Sequence, residues 1–200
     1  YGNTYTLNLH SKNVLGVSSQ KMYGKEKALR MIERGLSKDS SHNVLLVGDT
    51  GTGKSTVIAH LGRLGQSGLS FPSIHHHRVV ELFTEGLSLV DLDKCLKEAA
   101  DAGNIILVIE NIHLYESIYE KLMPYLLIPH LGIIITTDFS NYDKVLKNHP
   151  EFLSKFSKVD LTETNTEDTI AILKENARLK HISIKEDAIL EIVRLTQRLI

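Results

Sequence analysis

Short apolar runs closed by turn residues alternate along this chain with stretches whose apolar positions recur every three or four residues. That alternation predicts strands covered on both faces by amphipathic helices, a three-layer α/β arrangement around a parallel sheet. The spacing places strands over residues 43–48, 78–83, 105–110, 132–136 and 158–161. Helices are expected over 24–36, 53–64, 88–102, 116–128 and 142–147. Val44–Val47 and Ile105–Ile109 contain no polar residue, so these two strands are expected to lie deepest.

After Leu161 the pattern changes. Residues 165–179 and 185–199 have helical spacing with no strand between them, and Thr166 with Asp168, like Ser183 with Asp187, makes an acidic, cap-like helix start. The expected organisation is an α/β part over 1–161 followed by the beginning of a small helical subdomain over 162–200. No internal repeat or low-complexity tract interrupts it. The chain starts without methionine and stops at Ile200 inside a helical pattern, which reads as a segment cut from a longer chain.

Composition narrows the partners. Two hundred residues, 42% of them apolar, suffice for a real core, and a net charge of −1 with both signs interspersed gives no basic field for nucleic acid. The single cysteine, Cys95, lies in a helical stretch and reads as a half-buried thiol, with no disulfide framework. No apolar run is long enough to cross a bilayer, and residues 1–12 lack the order of a signal peptide. The expectation is a cytoplasmic, soluble piece, with any membrane anchor outside it.

The strongest chemical signal is Gly48-Asp49-Thr50-Gly51-Thr52-Gly53-Lys54-Ser55, which fits G-x-x-x-x-G-K-[ST] directly after a strand and before a helix. The glycines let the backbone curl so that N–H groups point at a phosphate chain, and the helix start adds its partial positive charge. Lys54 would reach the β- and γ-phosphates, and the Ser55 hydroxyl would ligate Mg²⁺. The binding set expected for Mg·ATP runs from Asp49 through Thr56.

Such a loop needs a carboxylate at the end of a neighbouring strand to hold magnesium, and the strand 105–110 ends in Glu110-Asn111. From here a resemblance covers nearly the whole chain. Tyr1-Gly2, Met22-Tyr23-Gly24-Lys25, the phosphate loop, Ile109-Glu110-Asn111-Ile112-His113, Thr136-Thr137, Phe156 and the stretch Glu167-Asp168-Thr169-Ile170-Ala171-Ile172-Leu173 together are similar to the first ATPase domain of Clp-type AAA+ unfoldases. The resemblance implies a five-stranded parallel AAA+ sheet with the phosphate-loop strand central, a helical lid, and assembly into a ring, a hexamer, acting on protein clients. It implies that Met22 and Tyr23 lie beside the adenine with Ile170 and Leu173 on its other side. It makes Thr137 the sensor near the γ-phosphate, and Ser55 with Glu110 the magnesium ligands.

Three departures bear on function. The family ends its acidic strand Asp-Glu, whereas Asn111 can orient a water but cannot take its proton, so hydrolysis is expected to be slow while binding survives. A structural role for Asn111 as a helix cap is compatible with that loss. The family's paired arginines before the phenylalanine are replaced by Ser154-Lys155, and Lys155 offers charge without the planar fork of donors. The family's aromatic pore loop falls on Gly86-Leu87-Ser88-Leu89, which has no aromatic; Leu87 and Leu89 read as helix-start core residues.

Other motifs weigh less. His75-His76-His77 has imidazole ligands for a metal but reads as a surface loop between helix and strand, because adjacent loop residues rarely converge on one ion. His113 reads as helix-start packing. The 116–128 helix would face either the core or a subunit partner. Beside a slow ring ATPase, a non-hydrolysing nucleotide-bound scaffold and another phosphate-loop ATPase branch, an initiator or signalling switch, remain open.

Overall fold

The structure, a computed structural model, describes residues 5–14, 24–163, 166–179 and 185–198. In chain order they form α1 (Thr6–Leu9), β1 (Ser11–Asn13), α2 (Glu26–Leu36), β2 (Val44–Val47), α3 (Lys54–Ser67), β3 (Arg78–Leu82), α4 (Leu89–Ala102) and β4 (Ile105–Ile109). Then come α5 (Tyr119–Leu122), β5 (Leu131–Thr137), α6 (Phe139–Lys144), α7 (Pro150–Leu153), β6 (Ser157–Asp160), α8 (Thr166–Leu179) and α9 (Glu186–Arg198).

The strands make one sheet in the order β1-β3-β4-β5-β2-β6. All pairs but one are parallel; β1 runs antiparallel along β3. Every residue of β2, β4 and β5 is buried, so the two strands expected to lie deepest do so, and β5 joins them. The period of two then sorts side chains between layers. Leu45, Val47, Leu107, Ile109, Ile133 and Ile135 pack with Leu92, Cys95 and Leu96 of α4. Their neighbours Val44, Leu46, Ile106, Val108 and Ile134 pack with Leu29 and Ile32 of α2 and Val57 and Leu61 of α3. The phosphate-loop strand β2 lies inside the sheet, between β5 and the edge strand β6.

The sixth strand was not expected. Ser11–Asn13 is polar and short, but Lys12 Nζ sits 3.1 Å from Glu81 Oε2 and the backbone pairs Ser11 with Leu82. Just before it, the carboxylate of Glu98 on α4 accepts the N–H groups of Thr6 at 3.1 Å and Leu7 at 2.8 Å, capping α1. Leu7 enters the core at 5% exposure; burying such a side chain contributes about 1.5–3 kcal/mol. Val14 then crosses α3 at Gly62, where a Cβ would stand 2.5 Å from the Val14 carbonyl oxygen.

Two expected helices are corrected. The 116–128 stretch is three short pieces: a 3₁₀ turn Glu116–Ile118, α5, and a second 3₁₀ turn Tyr125–Leu127. Pro124 follows α5 and has no N–H to continue the ladder. Its apolar side chains serve the core, since Tyr119, Leu122 and Leu126 are buried. The 142–147 helix begins earlier, at Phe139, because the Asp138 carboxylate accepts the Asn141 N–H at 2.7 Å and caps it. Leu89 is also not core: it is 49% exposed, while Leu87 packs on the apolar cluster and Ser88 caps α4. Beyond β6, α8 packs on α9 with no strand between them among the described residues. The Ser183 cap lies outside the described residues.

Candidate nucleotide-binding site

The phosphate loop begins where β2 leaves the sheet. Gly48 N–H donates to the Thr137 carbonyl at 3.0 Å, so loop and β5 separate only after this residue. A Cβ at Gly48 would meet Thr52 Oγ1 at 2.7 Å and the Leu161 carbonyl oxygen at 2.9 Å, which leaves glycine alone able to fit. The turn closes through the Asp49 carbonyl, which accepts from Thr52 N at 3.2 Å and Thr52 Oγ1 at 2.8 Å. Gly53 then takes φ 90°, a conformation costly to any residue with a Cβ, and starts α3 with no side-chain cap and no acidic residue in the first turn. Among the described residues no side chain caps the orphan N–H groups and positive dipole end of this fourteen-residue helix. That is the chemistry of an anion site.

Lys54 Nζ donates to the carbonyls of Gly48 and, at 3.0 Å, Asp49, holding the ammonium across the loop. Asp49, Thr50 and Gly51 are exposed, as are Ser55 and Thr56 at the start of α3. The Asp49 carboxylate accepts the Phe139 N–H at 3.3 Å, which ties the loop to the corner after β5.

Ser55 Oγ donates to Glu110 Oε1 at 3.3 Å. The two residues expected to ligate magnesium, 55 positions apart, are thus brought together at the mouth of the loop. A hydroxyl and a carboxylate are hard oxygen donors, the set that suits Mg²⁺ with retained waters and phosphate oxygens, so the donor chemistry fits that ion.

Asn111 follows with φ 51° and ψ 47°. Its N–H donates to Thr136 Oγ1 at 3.1 Å, and its own side chain caps nothing, so it holds the cap position of the Ile112–Leu114 turn by backbone shape only. Asparagine is among the few residues that adopt this left-handed conformation readily. The cap weighed for Asn111 is thus a backbone one: its carbonyl accepts the Leu114 N–H at 2.9 Å, and its side chain makes no cap hydrogen bond.

Thr137, the sensor candidate, is fully buried at 0% exposure, and its Oγ1 lies 2.9 Å from His113 Nδ1. His113, expected as helix-start packing, does lie in the short Ile112–Leu114 turn, and from there its ring meets the sensor candidate. Asp138 stands beside it: burial opposes its charge, but hydrogen bonds from the Asn141 N–H and amide, with the nearby His113, hold its pKa below the usual carboxylate value.

Lys155 is not part of this cluster. Its carbonyl accepts from Asn43 Nδ2 at 3.4 Å at the amino end of β6, whereas the loop follows the carboxyl end of β2. The two ends stand roughly 10 Å apart at ordinary strand rise. Ile170 and Leu173 lie one turn apart on α8, both half-buried, and Met22 and Tyr23 lie outside the described residues. Lys25 was missed as a positioning group: it is buried, it passes 3.6 Å from a Cβ built on Gly53, and its Nζ donates to the Thr162 carbonyl at 2.7 Å. It thereby ties the loop to the connection leading to α8. The histidine triplet sits in the loop between α3 and β3, with the His75 and His76 ring centroids 4.1 Å apart. No group of three metal-ligating side chains forms among the described residues.

No protein-family model matches the chain. It is 28% identical over 201 residues to the chaperone protein ClpB of Clostridium tetani, covering 88% of this chain and 23% of that protein. It is 26% identical to the ATP-dependent Clp protease ATP-binding subunit ClpC of Staphylococcus aureus, covering 88% and 24%. The chain spans about a quarter of the length of these curated relatives. Among solved structures, the extended Hsp104:casein complex of S. cerevisiae superposes with a TM-score of 0.79 at 20% identity, over 96% of this chain and 37% of that one. A closed-state reconstruction of Hsp104 with ATPγS and FITC casein gives 0.72 at 19% identity, over 85% and 33%. The relatives that this chain resembles in sequence are Clp-type AAA+ chaperones and ATP-binding subunits, and its fold is similar to that of Hsp104, which is consistent with a Clp-type AAA+ domain.

Proposed function

We propose that this domain binds Mg·ATP between the phosphate loop and Glu110, hydrolyses it slowly, and acts as a ring-forming module in protein remodelling or its regulation. The observation that carries the binding half is the Ser55–Glu110 contact at 3.3 Å beside an uncapped helix start. Bound magnesium would neutralise phosphate charge there, with Ser55 and Glu110 as its protein ligands. Lys54 would leave the Gly48 and Asp49 carbonyls for the β- and γ-phosphates, since a phosphate oxygen is the stronger acceptor. The binding set is Asp49 to Thr56, with Met22, Tyr23, Ile170 and Leu173 about the adenine, and the division between sheet and helical lid falls at 161/162.

The slow half rests on Asn111. It occupies the position where a carboxylate would polarise the attacking water, in a conformation that asparagine tolerates. Lys155, at the far end of the sheet, would act only on a neighbouring subunit's nucleotide. Clp relatives make a ring, a hexamer, a protein client and a cytoplasmic location the corresponding reading for this chain.

A second reading, a non-hydrolysing scaffold clamped by its nucleotide, is favoured by the aliphatic 86–89 loop together with Ser154-Lys155. Titrating ATP with magnesium into the chain and into Lys54→Ala tests binding: the wild type should saturate and the variant should weaken by at least tenfold. Equal, weak binding by both would end the nucleotide reading. Phosphate release after binding separates the slow enzyme from the scaffold.

A further inference from the structure

Lys25 is buried at 8% exposure, and burying its amine is costly unless a hydrogen bond compensates. The backbone places it at the start of α2, where its carbonyl accepts the Leu29 N–H at 3.0 Å. Its Nζ donates to the Thr162 carbonyl at 2.7 Å, 137 positions along the chain. Between these two anchors the stem lies against the phosphate loop: Lys25 Cε is 3.6 Å from a Cβ built on Gly53, an ordinary van der Waals distance. Gly53 is the residue at φ 90° that starts α3. At the other end of the loop the same connection makes direct contact. Leu161 N–H donates to the Val47 carbonyl at 2.7 Å, and a Cβ at Gly48 would stand 2.9 Å from the Leu161 carbonyl oxygen and 3.0 Å from Leu161 Cβ. The first and last glycines of the loop are thus both braced by residues 161–162, one by contact and the other through Lys25.

Building on the Mg·ATP reading above, we propose that Lys25 is a positioning residue that couples the phosphate loop to the 161–163 connection. A triphosphate seated on the loop fixes Gly53, Gly53 fixes the lysine stem, and Nζ fixes the Thr162 carbonyl. The coupling runs both ways, because a connection held in place presents Gly53 and the start of α3 to the phosphates already shaped. This role needs no contact between Lys25 and the nucleotide.

The test is amide hydrogen exchange of residues 161–163 in the whole chain, with and without saturating Mg·ATPγS. In the wild type the nucleotide should slow exchange there by roughly tenfold, the scale of one hydrogen bond to a charged group. Lys25→Met keeps the stem and removes the donor. It should still bind Mg·ATPγS, about tenfold more weakly, but the nucleotide should then slow exchange at 161–163 by no more than about twofold. Lys25→Arg, which keeps a donor at the end of a long stem, should restore most of the protection. A lysine with only a structural role would leave that ratio unchanged, because its loss speeds exchange equally in both states. If Lys25→Met does not fold, Lys25→Gln keeps a polar end that stops short of Thr162, and the same loss is expected of it. Protection retained in these variants, no rescue by arginine, or a wild type that binds Mg·ATPγS without protecting 161–163 would each overturn the inference while leaving nucleotide binding intact. A wild type that does not bind Mg·ATPγS would overturn the Mg·ATP reading as well.

Discussion

Ser55 Oγ and Glu110 Oε1 lie 3.3 Å apart, joining the first turn of α3 to the end of β4. The pair is assembled by the sheet: β2 and β4 both flank β5, so their carboxyl ends open on the same edge. Removing either oxygen should weaken ATP only when magnesium is present. Ser55→Ala and Glu110→Gln are each expected to lose about 10–100-fold in Mg·ATP affinity, with ATP binding in excess EDTA unchanged. Calorimetric titration in the two buffers checks this.

Asn111 joins chemistry to backbone shape. Asn111→Glu restores a carboxylate where water polarisation is expected, which should raise turnover by about 10²–10⁴-fold. The same change places a larger residue at φ 51°, at a cost of about 1–2 kcal/mol. Thermal unfolding should therefore show a lower Tm beside the faster hydrolysis.

Glu33 on α2 is 5% exposed, and its carboxylate accepts the Phe71 N–H at 3.3 Å. Burial raises its pKa, only partly offset by that bond and by Arg30. A raised carboxylate pKa means that the folded state holds its proton more tightly than the unfolded chain. Its contribution is full below the unfolded value of about 4.5 and falls as pH rises through the folded pKa. Glu33→Gln should then gain stability relative to wild type on going from pH 4 to pH 7, measured by urea unfolding at both.

The strap of residues 5–14 depends on two approaches. Glu98→Ala removes the cap on α1, worth about 0.5–2 kcal/mol, and should expose the bond after Leu9 to limited proteolysis. Gly62→Ala forces a methyl to 2.5 Å from the Val14 carbonyl and should release the same strap by a different route. Both should leave Mg·ATP affinity within twofold, because neither residue touches the phosphate loop.

Much of this was readable from the chain because some positions carry one physical job. The phosphate loop, β2 and β4 belong here: continuous apolar runs can be only deeply covered strands in such a pattern, and Gly53 and Lys54 have few alternatives. The edge strand was not readable, since Ser11-Lys12-Asn13 pairs through its backbone and has no apolar alternation to report it. Helical spacing over 116–128 outweighed Pro124, although a proline without an N–H was the visible clue. The His113–Thr137 contact had no local signal at all, because it depends on β4 and β5 lying side by side.

The central claim, that binding is kept while turnover is slowed, is tested most directly by single-turnover hydrolysis with protein in excess over ATP and magnesium present. The prediction is near-complete binding, slow phosphate release by the wild type and a burst from Asn111→Glu. Rapid release by the wild type, unchanged by that substitution, would contradict it.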